Sequence, residues 1–191
     1  MTYEKPITRP SEPVRHKITV AEFLALDEAG FFEDRHVELI DGEIYEMAAL
    51  HRPHARTLMV LSTAIDLAVD ALDGALEALS PISSKLNEHS LPEADIVVAE
   101  RAESLVLEGP SVRLLIEVSD SSLNHDLGRK LTLYAGTGVP EYWVADVNGR
   151  EIIRFHAPEG ETYRERATFA FGEPVPSATI AGLTVDTSRL A

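Results

Sequence analysis

The stretch VRLLIEVSDSSLNHDLGRKLTLYAGTGVPEYWVAD (residues 112–146) decides the fold class. Val112–Val118 is almost continuously apolar, the pattern of a strand covered on both faces. Asp126–Ala135 then has helical spacing, with Leu127, Leu131 and Tyr134 on one side and Gly136 and Gly138 ending it. EYWVAD is apolar again and opens a hairpin, residues 141–155, whose turn is predicted at Asn148-Gly149. Strand, helix and strand in this order predict an α/β domain.

Upstream, Thr19 and Glu22 form a capping-box pattern that opens a short helix ending about Ala29. HVELIDGEIYEMA (36–48) predicts two strands meeting at Asp41-Gly42. From Pro53 to about Leu72, Leu58, Leu61, Ile65, Ala68 and Leu72 recur at helical spacing, and this is expected to be the longest helix. Leu76–Leu86 is weakly patterned, and Asp95–Ala99 reads as a short apolar strand. After Pro158 the pattern predicts an edge strand and an extended tail. The chain therefore divides into a flexible N-terminal arm (1–17) and one domain (18–191), with its core at about 18–156 and the edge strand and tail at 157–191.

Composition narrows the function classes. The chain has no cysteine, which removes disulfides, thiolate catalysis and cysteine-held zinc together. No apolar run approaches the roughly 20 residues of a membrane helix, and the N-terminus lacks a signal-peptide core, so a cytoplasmic address is expected. With 32 acidic against 17 basic residues the formal charge is −15, a field that repels polyanions on average. The sequence holds neither a G-x-S-x-G elbow nor a phosphate-cradling glycine loop.

Glu117 is the anomaly within LLIEVS, because an unpaired carboxylate in an apolar strand costs several kcal/mol. It must reach solvent at the strand end, pair with a cation or bind a metal. Asp95 poses the same question at the start of its strand. Two carboxylates at one sheet edge would suit magnesium or manganese; as strand-end acids in water they would bind nothing. Lys130 shares the sheet-facing side of its helix with Leu127 and Tyr134. It either meets that carboxylate cluster or makes a surface ion pair with Asp126, four residues back. Glu38 lies on the opposite strand face from Val37 and Leu39, among acids otherwise expected in solvent. His51 and His54 flank Pro53, as weak metal ligands or as helix-start histidines with structural hydrogen bonds.

The order of these segments carries a resemblance. ELIDGE (38–43), a histidine opening a long helix, ADIVV (94–98), LLIEVS (114–119) and HDLGRKLTLYAGTGVPEYWVAD (125–146) follow one another. Together they resemble the bacterial "putative restriction endonuclease" family, once catalogued as a domain of unknown function, within the PD-(D/E)XK nuclease superfamily. The match spans about 18–156. Its most specific part is D-x-x-x-K-x-x-x-Y, here Asp126, Lys130 and Tyr134, followed by GVPEYWVAD (138–146).

The resemblance implies a restriction-endonuclease-like fold, a central mixed sheet flanked by helices. It also implies catalytic roles for Asp95, Glu117, Lys130 and Glu38. Mg2+ or Mn2+ would be bound by Asp95, Glu117, the Val118 carbonyl and Glu38. His54, Asp126 and Tyr134 match secondary positions, the last two with structural roles. Two departures stand out: Pro92 precedes Asp95 by three residues rather than one, leaving Glu93 as a nearby acid, and Ser119 is followed by Asp120 rather than proline.

The implied reaction is hydrolysis of DNA phosphodiester bonds, with Lys130 orienting or deprotonating water. A homodimer would suit two DNA strands; no membrane partner is expected. Two other classes compete. A catalytically silent scaffold fits the charge of −15. A two-carboxylate glycosidase would not be handicapped by acidity, but the single tryptophan and the placement of Lys130 count against it.

Overall fold

The computed structural model describes residues 13–72, 74–103 and 107–191. Most of the arm expected at 1–17 lies outside them; residues 13–17 are exposed and carry no regular structure.

Helix α1 (Val20–Glu28) starts with the expected box: the Glu22 amide donates to the Thr19 hydroxyl while the Glu22 carboxylate accepts from the Thr19 amide. Strands β1 (Val37–Ile40) and β2 (Glu43–Glu46) pair antiparallel around Asp41 and Gly42, both at positive φ, as a two-residue hairpin turn requires. Helix α2 (Arg52–Asp70) is the longest, with proline in its first turn.

The weakly patterned stretch resolves into two strands, β3 (Leu76–Leu79) and β4 (Ile82–Lys85), separated by Ser80-Pro81. Then come β5 (Glu93–Ala94), β6 (Ile96–Glu100), β7 (Leu107–Glu108) and β8 (Val112–Ser119). A helical segment over 123–136, termed α3, leads to β9 (Glu141–Asp146), β10 (Glu151–Glu159) and β11 (Thr162–Ala170). Two short strands, β12 (Val175–Pro176) and β13 (Thr184–Val185), complete the chain.

The main sheet has the order β11-β10-β9-β8-β6-β3. Within this sheet only β8 and β9 run parallel, because α3 supplies the crossover that parallel neighbours need. Leu114, Ile116 and Val118 pack on the α2 side with Leu61, Ile65 and Val69; Leu115 faces the α3 side with Leu133, Tyr134 and Tyr142. This is the expected mixed sheet with helices on both faces. Among the described residues no helix is long and apolar enough to cross a membrane.

Three local expectations change. The β9–β10 connection is a four-residue loop, 147–150, since Asp146 pairs with Glu151, and its positive-φ residue is Arg150 rather than Asn148 or Gly149. Helix α3 begins at Leu123, three residues before Asp126, and contains a π-helical turn. The tail is not merely extended: Val175, Leu183, Val185 and Leu190 join the α2-side core.

Gly42 carries a testable consequence. A Cβ there would lie 2.6 Å from the Lys17 Cβ and 2.9 Å from its Cα, at φ +79. Gly138 has the same φ with nothing within 4 Å. Gly42→Ala is therefore expected to lose about 1–3 kcal/mol, more than Gly138→Ala, in urea unfolding. Equal losses would show that Lys17 is not held against the turn.

Candidate functional site

The β6–β8 register, with Ile96 opposite Ile116, brings Asp95 and Glu117 to one edge of the sheet. Asp95 is anchored there: its Oδ2 accepts from the Val118 amide at 2.7 Å and from His54 Nε2 at 3.3 Å. The histidine comes from the first turn of α2, which explains why helix and strand start meet at this point.

Lys130 arrives from α3, through the π-helical turn Asp126–Lys130, where the Leu131 amide donates to the Asp126 carbonyl five residues back. Along an unbroken α-helix, side chains four apart drift by about 40°, so eight residues would carry Tyr134 about 80° away from Asp126. The wider turn falls short of a full revolution over four residues and offsets that drift. Asp126, Lys130 and Tyr134 consequently lie on one buried line against the sheet.

The Lys130 ammonium donates to Glu117 Oε1 at 3.0 Å, Glu38 Oε1 at 3.1 Å and the Glu93 carbonyl at 3.2 Å. Tyr134 adds a 2.7 Å bond to the same Glu117 oxygen. The surface pairing of Lys130 with Asp126 allowed by their spacing does not form. Asp126 Oδ2 instead accepts from the Ser119 and Ser122 hydroxyls, both at 2.6 Å, tying the start of α3 to the end of β8. Next to Lys130, Arg129 grips the same hairpin from outside, bonding Glu43 at 2.8 Å and covering the Tyr45 ring. Hairpin β1–β2 is thus clamped on α3, and this holds Glu38 in the cluster.

Burial drives the Glu117 carboxyl well above its usual range, opposed by Lys130 and reinforced by Asp126, Asp95 and Glu38. Burial also raises Glu38, against the pull of Lys130. For Lys130 burial favours deprotonation, but the attraction of Glu117 and Glu38 outweighs it and holds the amine above its ordinary value. The direction of that shift favours the charged ammonium. The hydrogen bond to Asp95 raises His54.

The predicted residues Asp95, Glu117, Lys130, Glu38, Val118, His54 and Asp126 all line one cleft of about 760 Å3, counting the space open to solvent. Tyr134 lies behind it, reaching Glu117. Spacing did not single out the Met47–Leu50 loop, Asp120 or Ser121, which also line the cleft, or the Glu93 carbonyl that takes the third lysine bond.

Among the described residues no three His, Asp or Glu side chains are arranged as a ready metal-holding group. The donor chemistry nonetheless fits a hard divalent cation. Glu38 Oε2 is buried with no partner, and among the described residues Asp95 Oδ1 and Glu117 Oε2 accept no hydrogen bond. One ammonium faces several carboxylates, which leaves the cleft short of positive charge.

Residues 20–188 match the family Uma2, described as "Putative restriction endonuclease". A crystal structure from Anabaena variabilis, described as "a putative nuclease belonging to DUF820", aligns with a TM-score of 0.67 at 18% identity, covering 91% of this chain and 97% of that one. At this identity the likeness is one of fold, and it agrees with a restriction-endonuclease-like architecture. No curated protein matches.

Proposed function

The chain belongs to the Uma2 family of "putative restriction endonucleases", and from that membership we propose that it hydrolyses DNA phosphodiester bonds with magnesium or manganese, in the manner of PD-(D/E)XK nucleases. The observation that carries this reading is the convergence of Glu117, Glu38 and Lys130 within 3.1 Å in the cleft that Asp95 also lines.

The metal would be held by Asp95, Glu117, the Val118 carbonyl and Glu38, and when bound it would polarise the phosphate and acidify a bound water. Lys130, protonated, stabilises negative charge developing on the phosphate and neutralises part of the acidic cluster. Tyr134 and Lys130 hold Glu117 Oε1, so Oε2 is the oxygen left for binding. His54 and the Val118 amide hold Asp95 Oδ2 and leave Oδ1 in the same way. Asp126 acts at a distance, by fixing the start of α3. A homodimer and a cytoplasmic address belong to the same proposal, as does a single domain over 18–191.

The formal charge of −15 favours a second reading, a nuclease fold serving as a silent scaffold. Supercoiled plasmid incubated with magnesium or manganese separates the two. Wild type is expected to nick or linearise it, with Lys130→Ala and Glu117→Gln slower by about 100-fold or more. If wild type cuts no faster than either variant, the scaffold reading stands. Manganese calorimetry with Asp95→Ala then reports whether a metal site exists at all.

A further inference from the structure

We propose that the cleft receives a single unpaired DNA strand rather than a duplex, seating one nucleoside against the apolar lip at Met47–Leu50 while the strand's phosphates face Arg52 and Arg56. This rests on the nuclease reading and specifies its substrate class.

Access is the first argument. Glu38, Glu117 and Lys130 are only 2%, 4% and 1% exposed, so a phosphate must enter the cleft to meet them rather than pass across its mouth. Duplex DNA is a stiff rod that holds its phosphates on a wide cylinder. A single strand can turn a nucleotide inward.

The walls give the second argument. Beside the acids, the lining includes the apolar side chains Met47, Leu50, Leu58 and Pro81. Leu50 lines the cleft with 61% of its surface exposed. Leucine, methionine and proline are among the side chains that proteins wedge between bases to unstack them. Such a wall has no use for a phosphate alone, but fits a nucleoside attached to one.

Charge is the third. In a chain of formal charge −15, a duplex footprint would bring many phosphates over acidic surface. The first two turns of α2 carry Arg52 and Arg56, and neither pairs with an acid among the described residues. His51, His54 and Leu58 of the same region line the cleft, and the N-terminus of this 19-residue helix has no side-chain cap. This small basic feature lies outside the cleft lining, farther round α2, and matches the few phosphates of a short strand leaving the cleft.

The experiment measures fluorescence anisotropy of a labelled 15-nucleotide single strand and of its blunt duplex, in calcium. The single strand is expected to bind at least 10-fold tighter. Leu50→Asp and the double variant Arg52→Glu/Arg56→Glu should each weaken it at least 5-fold with unchanged melting temperature. A duplex bound as tightly, or both variants binding like wild type, overturns the proposal. So does a 10-fold preference for the same sequence as RNA. Plasmid cleavage without single-strand preference sinks this inference alone. Single-strand binding with the stated variant pattern, but no cleavage of any DNA in magnesium or manganese, sinks the nuclease reading and leaves the strand site standing.

Discussion

Lys130→Met is expected to destabilise the fold by about 3–5 kcal/mol near pH 8 and to leave no measurable DNA cleavage. Methionine keeps the volume of the side chain but removes the ammonium that joins Glu117 to Glu38. Two buried carboxylates would then face each other without a cation. Burial already raises both, and Lys130 is the largest influence opposing the rise, so both should rise further in the variant. A carboxyl whose folded pKa lies above its ordinary value of 4.5 contributes its stability below that value and loses it as pH rises through the folded pKa. The deficit of Lys130→Met should therefore be largest at pH 8 and shrink towards pH 5 as the acids take up protons. Urea unfolding at the two pH values reads this directly. Adding Glu38→Gln and Glu117→Gln to the methionine variant should recover most of the stability and none of the activity. A deficit independent of pH would mean that lost packing, not stranded charge, is what Lys130 prevents.

Glu141→Ala should cost about 1–3 kcal/mol, since it leaves the buried Trp143 indole without an acceptor and strips the bonds that hold the largely exposed 177–179 stretch. The Glu141 carboxylate is fully buried. It accepts from five donors: the Trp143 indole, the Ser177 and Thr179 hydroxyls, and the amides of Ala178 and Thr179. Glutamine in its place should not rescue, because half of its amide head would present a donor to donors. The loss should be local at first, with thermolysin cutting within 171–191 before the rest of the chain unfolds. A variant whose tail resists the protease like wild type would show that the apolar contacts of Val175, Leu183 and Val185 hold it unaided.

What could be read from the sequence divides by range. Thr19 with Glu22 and Asp41 with Gly42 state their geometry within four residues, because a cap and a tight turn are made by neighbours. The apolar run at Val112–Val118 announces a strand covered on both faces. Glu141 announces nothing: it reads as a strand-start acid, and its partners in the tail lie 36–38 residues onward. Lys130 is intermediate. Helical spacing turns it to the sheet, but spacing alone allows Asp126 as its partner. The actual acids lie 92 and 13 residues away, and two serines have already taken Asp126. The resemblance brought Asp95, Glu117, Lys130 and Glu38 to notice together, and the structure gathers them around one cleft.

The π-helical turn has a consequence for length. Asp126, Lys130 and Tyr134 are spaced by four and four, yet they share the line that an uninterrupted helix would give to spacings of three and four. The turn therefore behaves as a one-residue insertion absorbed without moving its flanks. Chains one residue shorter here could present the same three side chains from an ordinary helix. An alignment that forbids a gap at this position would then pair Lys130 with the wrong neighbour.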